Sequence, residues 1–261
     1  MHMSDNAAFW ETFSDEMYGG SRIPRIPDII GALWETCGLQ IGSKVADVCC
    51  GRGYSSVELA LRGADVQAVD FSKEFIASLS QASRALGLGI ATLRGNAQDI
   101  QLEGSICATM ILWNSLGYKG PEADLRILAN ARQSTHASGS LVVELTTLEE
   151  LSKEPNKVTE RSIGESHTFR RIRNLDTQTG ILSADWEIFD EHGTPIRSGH
   201  FSQTVYPKAE IVRMMNAAGW SYVTDSDRAP LPCEPTGTLF IGVAESDSSS
   251  ESCTKCRGVI H

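Results

Sequence analysis

The sequence predicts a doubly wound α/β fold, and three observations carry that reading. First, the short apolar runs KVADVC (44–49), ADVQAVD (64–70), GIATLR (89–94), ICATMILW (106–113) and GSLVVELT (139–146) alternate with helical stretches near 54–63, 73–86 and 121–136. Strands that are apolar throughout and separated by helices belong to a parallel sheet covered on both faces. Second, the first of these runs passes through the tight glycine loop CGRG directly into a helix. Third, the alternation stops after residue 150, where antiparallel punctuation begins.

Ahead of the first strand, Phe9, Phe13 and Met17 recur at fourfold spacing, GGSRIP interrupts, and Pro27 opens IPDIIGALWETCG, so two short helices are expected. Beyond residue 150, strands are expected near 166–174, 181–190 and 195–206, joined as hairpins by DTQTG (176–180) and DEHGT (190–194). Leu182, Ala184, Trp186 and Ile188 fall on one face of the middle strand, which therefore packs against something. Helical patterning returns in 208–220, and a last apolar strand spans 238–245. The serine- and acid-rich tail from Ser246 lacks the apolar content to fold and is expected to be disordered.

Composition narrows the function. With 261 residues and a net charge of −10, the chain has no general attraction for phosphate polyanions, which disfavours a nucleic-acid substrate. No run approaches eighteen apolar residues, and the N-terminus MHMSDNAAFW lacks a basic segment followed by an apolar one, so a soluble, cytoplasmic protein is expected. Seven cysteines, several inside strand-like runs, read as reduced thiols rather than a disulfide framework. The lone CTKC pair, Cys253 and Cys256, offers two of the four ligands a structural zinc needs, and no metal is expected.

The chemistry concentrates at strand ends. Gly51 and Gly53 let backbone approach a ligand, and the helix behind them opens with free N–H groups. Such a loop serves nicotinamide, flavin and adenosylmethionine sites alike. Asp70 ends the next strand beside the loop, where a carboxylate accepts the hydroxyls of a ribose. Asp47 sits just ahead of the loop, where a cationic amino-acid ligand is welcome and a pyrophosphate is not. The third glycine of the dinucleotide pattern is replaced by Ser56, and RGNAQDI brings Asn96, Gln98 and Asp99 to the next loop, within reach of an adenine edge.

Together, DVCCGRG, VQAVD, GNAQDI and MILWNSLGY resemble, in order, the first four motifs of the class I S-adenosylmethionine-dependent methyltransferases. The resemblance covers about residues 9–245. It implies a Rossmann-like, mostly parallel seven-stranded sheet with an N-terminal helical segment and an antiparallel β insert. In that scheme residues 1–43 form a helical lid, 44–150 the cofactor-binding core, 151–207 the insert as substrate cover or dimer contact, 208–245 the return to the core and 246–261 the tail. The implied donor is S-adenosyl-L-methionine, held by Asp47, Cys49, Gly51, Gly53, Asp70, Phe71, Asn96, Ala97, Gln98 and Trp113. Cys49 stands where the family has the first glycine of GxGxG, and is read as a packing residue.

The aromatic segment FWETFSDEMY, the SLGY loop and the insert before YPKAEIVRMMNAAGW are most similar to small-molecule enzymes, including amino-sugar N-methyltransferases and glycine N-methyltransferase. They imply methyl transfer to nitrogen or oxygen of a small acceptor by a monomer or homodimer, with Tyr18 and Tyr118 at the transfer chamber. Alternatives are a scaffold using bound donor without transfer, for example a cyclase, and an RNA methyltransferase. WNSLGY lacks the Asn/Asp-Pro-Pro-aromatic signature of many nucleobase enzymes. Among six histidines, His167 and His200 lie on insert strands that are expected to roof the pocket, and His200 is the candidate general base. Arg170, Arg171 and Arg173 form a local basic cluster suited to a carboxylate or phosphate, or to a solvated strand face.

Overall fold

The computed structural model describes residues 3–15, 23–226 and 237–244. Helices α1 (Met3–Thr12) and α2 (Ile26–Thr36) precede an alternation of β1 (Lys44–Val48), α3 (Tyr54–Leu61), β2 (Asp65–Asp70), α4 (Lys73–Ala85), β3 (Ala91–Arg94), β4 (Ile106–Ile111), α5 (Pro121–Ser134) and β5 (Thr135–Leu145). The short α6 (Leu148–Leu151) leads into β6 (Asn156–Ile163), β7 (His167–Asp176), β8 (Ile181–Phe189) and β9 (Pro195–Thr204). The chain then returns through α7 (Lys208–Ala217), β10 (Trp220–Ser226) and β11 (Thr238–Ala244).

Seven strands form the main sheet in the order β10-β11-β5-β4-β1-β2-β3, and β6 to β9 form a second, antiparallel sheet. In the main sheet β1 to β5 pair in parallel, while β11 runs antiparallel to both β5 and β10. The order reverses between β1 and β4, and such a switch point leaves a crevice at the strands' carboxyl ends. One face buries Ile29, Ile30 and Leu33 of α2 with Leu59 and Leu79. The other buries Leu128, Met214 and Met215 with Trp220.

Two strands escape sequence reading. The edge strand β6, NKVTERSI, pairs with β7 alone and leaves its central apolar residue, Val158, 61% exposed, so no apolar alternation marks it. The helix expected through residue 220 stops at Ala217 because Gly219 adopts φ 85, which turns Trp220 into β10. There the buried Trp220 indole donates from Nε1 to the Leu128 carbonyl at 2.9 Å. The run expected to reach Trp113 ends as a strand at Ile111, since Trp113 and Asn114 are both left-handed.

Leu182, Ala184, Trp186 and Ile188 are all buried, and what they pack against is α1. Phe9 and Phe13 meet Trp186 with ring centroids 5.3 and 5.6 Å apart, in edge-on geometry. The helix sits this close because Gly199 has no side chain. A Cβ there would lie 2.6 Å from Phe13 and 2.9 Å from Phe9. The expected 1–43 lid is thus divided, with α1 docked on the insert and α2 built into the main core.

Tyr18, Cys253, Cys256 and the 246–261 tail lie outside the described residues. Cys37, Cys49 and Cys50 are free. Among the described residues no helix is long and apolar enough to cross a membrane.

Phe13 is fully buried, so Phe13→Ala is expected to cost roughly 3–5 kcal/mol of stability, read as a lower urea midpoint. An unchanged midpoint would show that α1 is not anchored through this ring.

Candidate active site

The loop after β1 is shaped by three left-handed residues, Cys49 (φ 63), Gly51 (φ 56) and Gly53 (φ 78). Glycine adopts this conformation freely, while a cysteine does so at a cost of order 1–3 kcal/mol. Gly53 is required twice over, since a Cβ there would also lie 2.4 Å from Leu79 of α4. Cys50 N–H donates to the Val69 carbonyl at 2.9 Å, which ties the loop to β2.

Asp70 completes the junction. Its Oδ2 accepts from Gly51 N–H and its Oδ1 from Ser72 N–H, each at 2.9 Å. Burial raises the Asp70 pKa, opposed by these backbone donors, and the charge of Glu11 adds to the rise. Ser72 caps α4, with Oγ accepting from Phe75 N–H at 3.1 Å, and the same hydroxyl donates to Glu11 of α1. A second tie runs from Arg52, which donates to Ser14 Oγ at 2.5 Å and pairs with Asp15 at 2.8 Å. The helix that packs on the insert is thereby latched over the glycine loop.

A cavity opens at this point, at the carboxyl ends of the strands. Cys49, Gly51, Asp70, Phe71, Asn96, Ala97, Gln98 and Trp113 line it, joined by Trp10 of α1, Tyr118, Lys119 and Asp124. Trp113 is fixed at both ends, its backbone N–H donating to Glu144 Oε2 at 2.7 Å and its Nε1 to Ser55 Oγ at 3.3 Å. The rings of Trp10 and Tyr118, both on the cavity wall, meet edge-on at 5.8 Å.

Tyr118 is positioned from the insert. Gln203 at the end of β9 donates to the carbonyls of Asn114 and Leu116 at 2.9 and 2.5 Å, and Thr204 N–H donates to Gly117 O at 2.9 Å. Gly117 has φ 98, and a Cβ on it would lie 2.2 Å from the Thr204 carbonyl, so only glycine fits. Its N–H donates to Asp124 Oδ2 at 2.8 Å, and Tyr206 Oη donates to the same oxygen at 2.5 Å.

Residues 45–139 match the family described as a methyltransferase domain. This chain carries a methyltransferase domain. Its fold extends the likeness well beyond the matched segment. An S-adenosylmethionine-dependent methyltransferase from Clostridium acetobutylicum superposes with a TM-score of 0.75 at 12% identity, covering 92% of this chain and 99% of that one. The CcbJ methyltransferase of Streptomyces caelestis gives 0.74 at 18% identity, covering 88% and 92%. An amino pentose methyltransferase from Micromonospora echinaspora gives 0.68 at 18% identity, covering 93% and 97%. A comparison with curated proteins finds no significant match.

Within the methyltransferase domain, two expected cofactor residues stand back from the cavity wall. Asp47 is buried and accepts from Ser56 Oγ at 2.5 Å, so it fastens the first turn of α3, while Gly53 packs against Leu79. Asp99 is likewise off the wall, accepting from Asn96 Nδ2 at 3.1 Å. Gln98 lies on the wall, but its amide oxygen already accepts from Arg126 at 2.6 Å. The Cys49 thiol is pushed well above its ordinary pKa by burial and then by the charges of Asp70, Asp47 and Asp124, which makes it a poor nucleophile and suits a packing role.

His200 lies away from the cavity wall. On β9 it alternates with Gly199 and Phe201, whose face meets α1, so its imidazole lies on the opposite face, half exposed and 2.7 Å from Asp185. Among the described residues no histidine lines the cavity, His167 included. The arginine cluster is also remote from the wall, with Arg170 paired to Glu160 at 2.5 Å and Arg173 donating to the Glu154 carbonyl. Sequence reading missed Trp10, Lys119 and Asp124. Asp124 carried one faint signal, an acidic residue in the first turn of a helix just after the SLGY loop.

Burial raises the Asp47 pKa to about 6, with the Ser56 hydrogen bond opposing and the Asp70 charge adding to the rise. A raised folded-state pKa means that stability present below the unfolded value near 3.8 is lost as pH rises through about 6. Asp47→Asn, which retains an acceptor for Ser56, is therefore expected to gain roughly 1–3 kcal/mol over the parent at pH 7.5 and almost nothing at pH 3.5. Urea midpoints at the two pH values check this, and an equal difference at both would contradict it.

Proposed function

We propose that this protein transfers a methyl group from S-adenosylmethionine to a nitrogen or oxygen of a small molecule. One observation carries the choice of donor. Three buried carboxylates, Asp47, Asp70 and Asp124, lie on or just behind the cavity wall, and among the described residues no cationic side chain forms an ion pair with any of them. Buried carboxylates without a counter-charge favour a cationic ligand and repel the pyrophosphate of a dinucleotide.

Asp70 would receive the ribose, the Cys49–Gly53 loop would lie against the amino-acid part, and Phe71, Ala97 and Gln98 would border the base. The bound sulfonium supplies the leaving group, so alignment of an electron-rich acceptor and exclusion of water remain for the protein. Trp10 and Tyr118 line the cavity together, and the Glu11–Ser72 and Arg52–Asp15 ties hold the N-terminal segment beside it. The net charge of −10 also supports a small acceptor, as does a structural neighbour described as a sugar N-methyltransferase. Loop 95–98 lies on the cavity wall as adenine recognition requires.

Incubation with methyl-labelled donor and a panel of small amines and alcohols is expected to yield labelled product and adenosylhomocysteine in equal amounts. Donor binding without label transfer to any amine or alcohol would overturn the transfer reading. Asp70→Ala is expected to weaken donor binding by roughly 1.5–3 kcal/mol, the size of a lost charge-assisted hydrogen bond. Unchanged calorimetric affinity in the folded variant would remove Asp70 from the ribose site.

A further inference from the structure

We propose that Asp124 distinguishes the charged donor from its neutral product, so that the spent thioether is held more weakly than the sulfonium. This rests on the donor reading above. Of the three aspartates, Asp47 lies behind the wall, bonded to Ser56, and each oxygen of Asp70 accepts a backbone N–H. Asp124 differs. It lines the cavity at 2% exposure, and both of its hydrogen bonds, from Gly117 N–H and Tyr206 Oη, fall on Oδ2. Oδ1 accepts no hydrogen bond among the described residues.

Both donors to Asp124 are neutral, so they hold the carboxylate in place without cancelling its charge. Lys119 lines the same cavity but is exposed and makes no ion pair with Asp124. The residue also lies on the β4 side of the switch point, since it anchors the loop that follows β4, whereas Asp70 ends β2 on the other side. A donor whose ribose sits at Asp70 extends its charged half toward β4. The other groups facing Asp124 are the Cys49 thiol and the Tyr206 hydroxyl, with Glu210 behind Tyr206, and none of them is a cation.

Donor and product differ at the sulfur by one methyl group and one positive charge, while their adenosine and amino-acid parts are the same. A carboxylate that acts on the sulfonium changes affinity for one and spares the other. The test is isothermal calorimetry of adenosylmethionine and adenosylhomocysteine with the full chain and with Asp124→Asn, which keeps an acceptor for Gly117 and Tyr206 and removes the charge. The expected result is about a tenfold loss for the donor and a change of less than about twofold for the product.

Equal losses for both ligands, or no loss for either, overturn the proposal. Tyr206→Phe is the control for simple loop support. It keeps the charge, so the donor preference should survive, and a selective donor loss in this variant would also overturn the proposal. If Asp124→Asn does not fold, Asp124→Gln reads the same ratio. Failure of the unaltered protein to bind either ligand would overturn the donor reading itself.

Discussion

The Asp70 carboxylate is the joint on which the site depends. By accepting Gly51 N–H on one oxygen and Ser72 N–H on the other, it ties the loop leaving β1 to the turn leaving β2. Two backbone donors offset part of the cost of burying this charge, which is why an ionisable group 7% exposed can persist there. Without that bridge, three left-handed residues in five would have only the Val69 carbonyl to hold them to β2. The same side chain thus shapes the loop and presents a carboxylate to the cavity.

Around this joint the antiparallel sheet acts at one remove. None of its residues lines the cavity, yet Gln203 and Thr204 fix the loop that carries Tyr118, and Trp186 with Phe201 supports Trp10. The insert is a scaffold for α1 rather than a wall of the cavity. Its packing depends on aromatic area and on one missing side chain, at Gly199, which allows the rings of α1 to reach the sheet. The N-terminal segment is then tied to the cap of α4 through Glu11 with Ser72, and to the glycine loop through Asp15 with Arg52.

Much of the architecture was legible because period and burial coincide. Four of the five parallel strands, β1, β2, β4 and β5, are buried along most of their length, and the packed face of β8 is marked by four apolar residues at spacing two. The edge strand β6 was illegible for the converse reason, since most of its residues stay exposed. The wall residues at the loop apices were legible as well, because glycine, aspartate and amide residues at strand ends carry few other uses in such a pattern. Asp47 and His200 stand off the cavity wall for one shared reason. A side chain's depth and facing depend on which neighbour it packs against, and neither follows from position in a motif.

By itself, the sequence determined the doubly wound sheet, the glycine loop and the acidic strand end, because each follows from local periodicity or backbone freedom within a few residues. Only the tertiary structure decided which carboxylates reach the cavity. Asp47 is withdrawn by Ser56, nine residues away, whereas Asp124 is held at the wall by Tyr206, 82 residues away. It likewise decided that α1 belongs with the insert, a contact between residues nearly two hundred positions apart that no local pattern encodes. Burial and charge balance are properties of the assembled neighbourhood, and here they set the chemistry that the motifs only located.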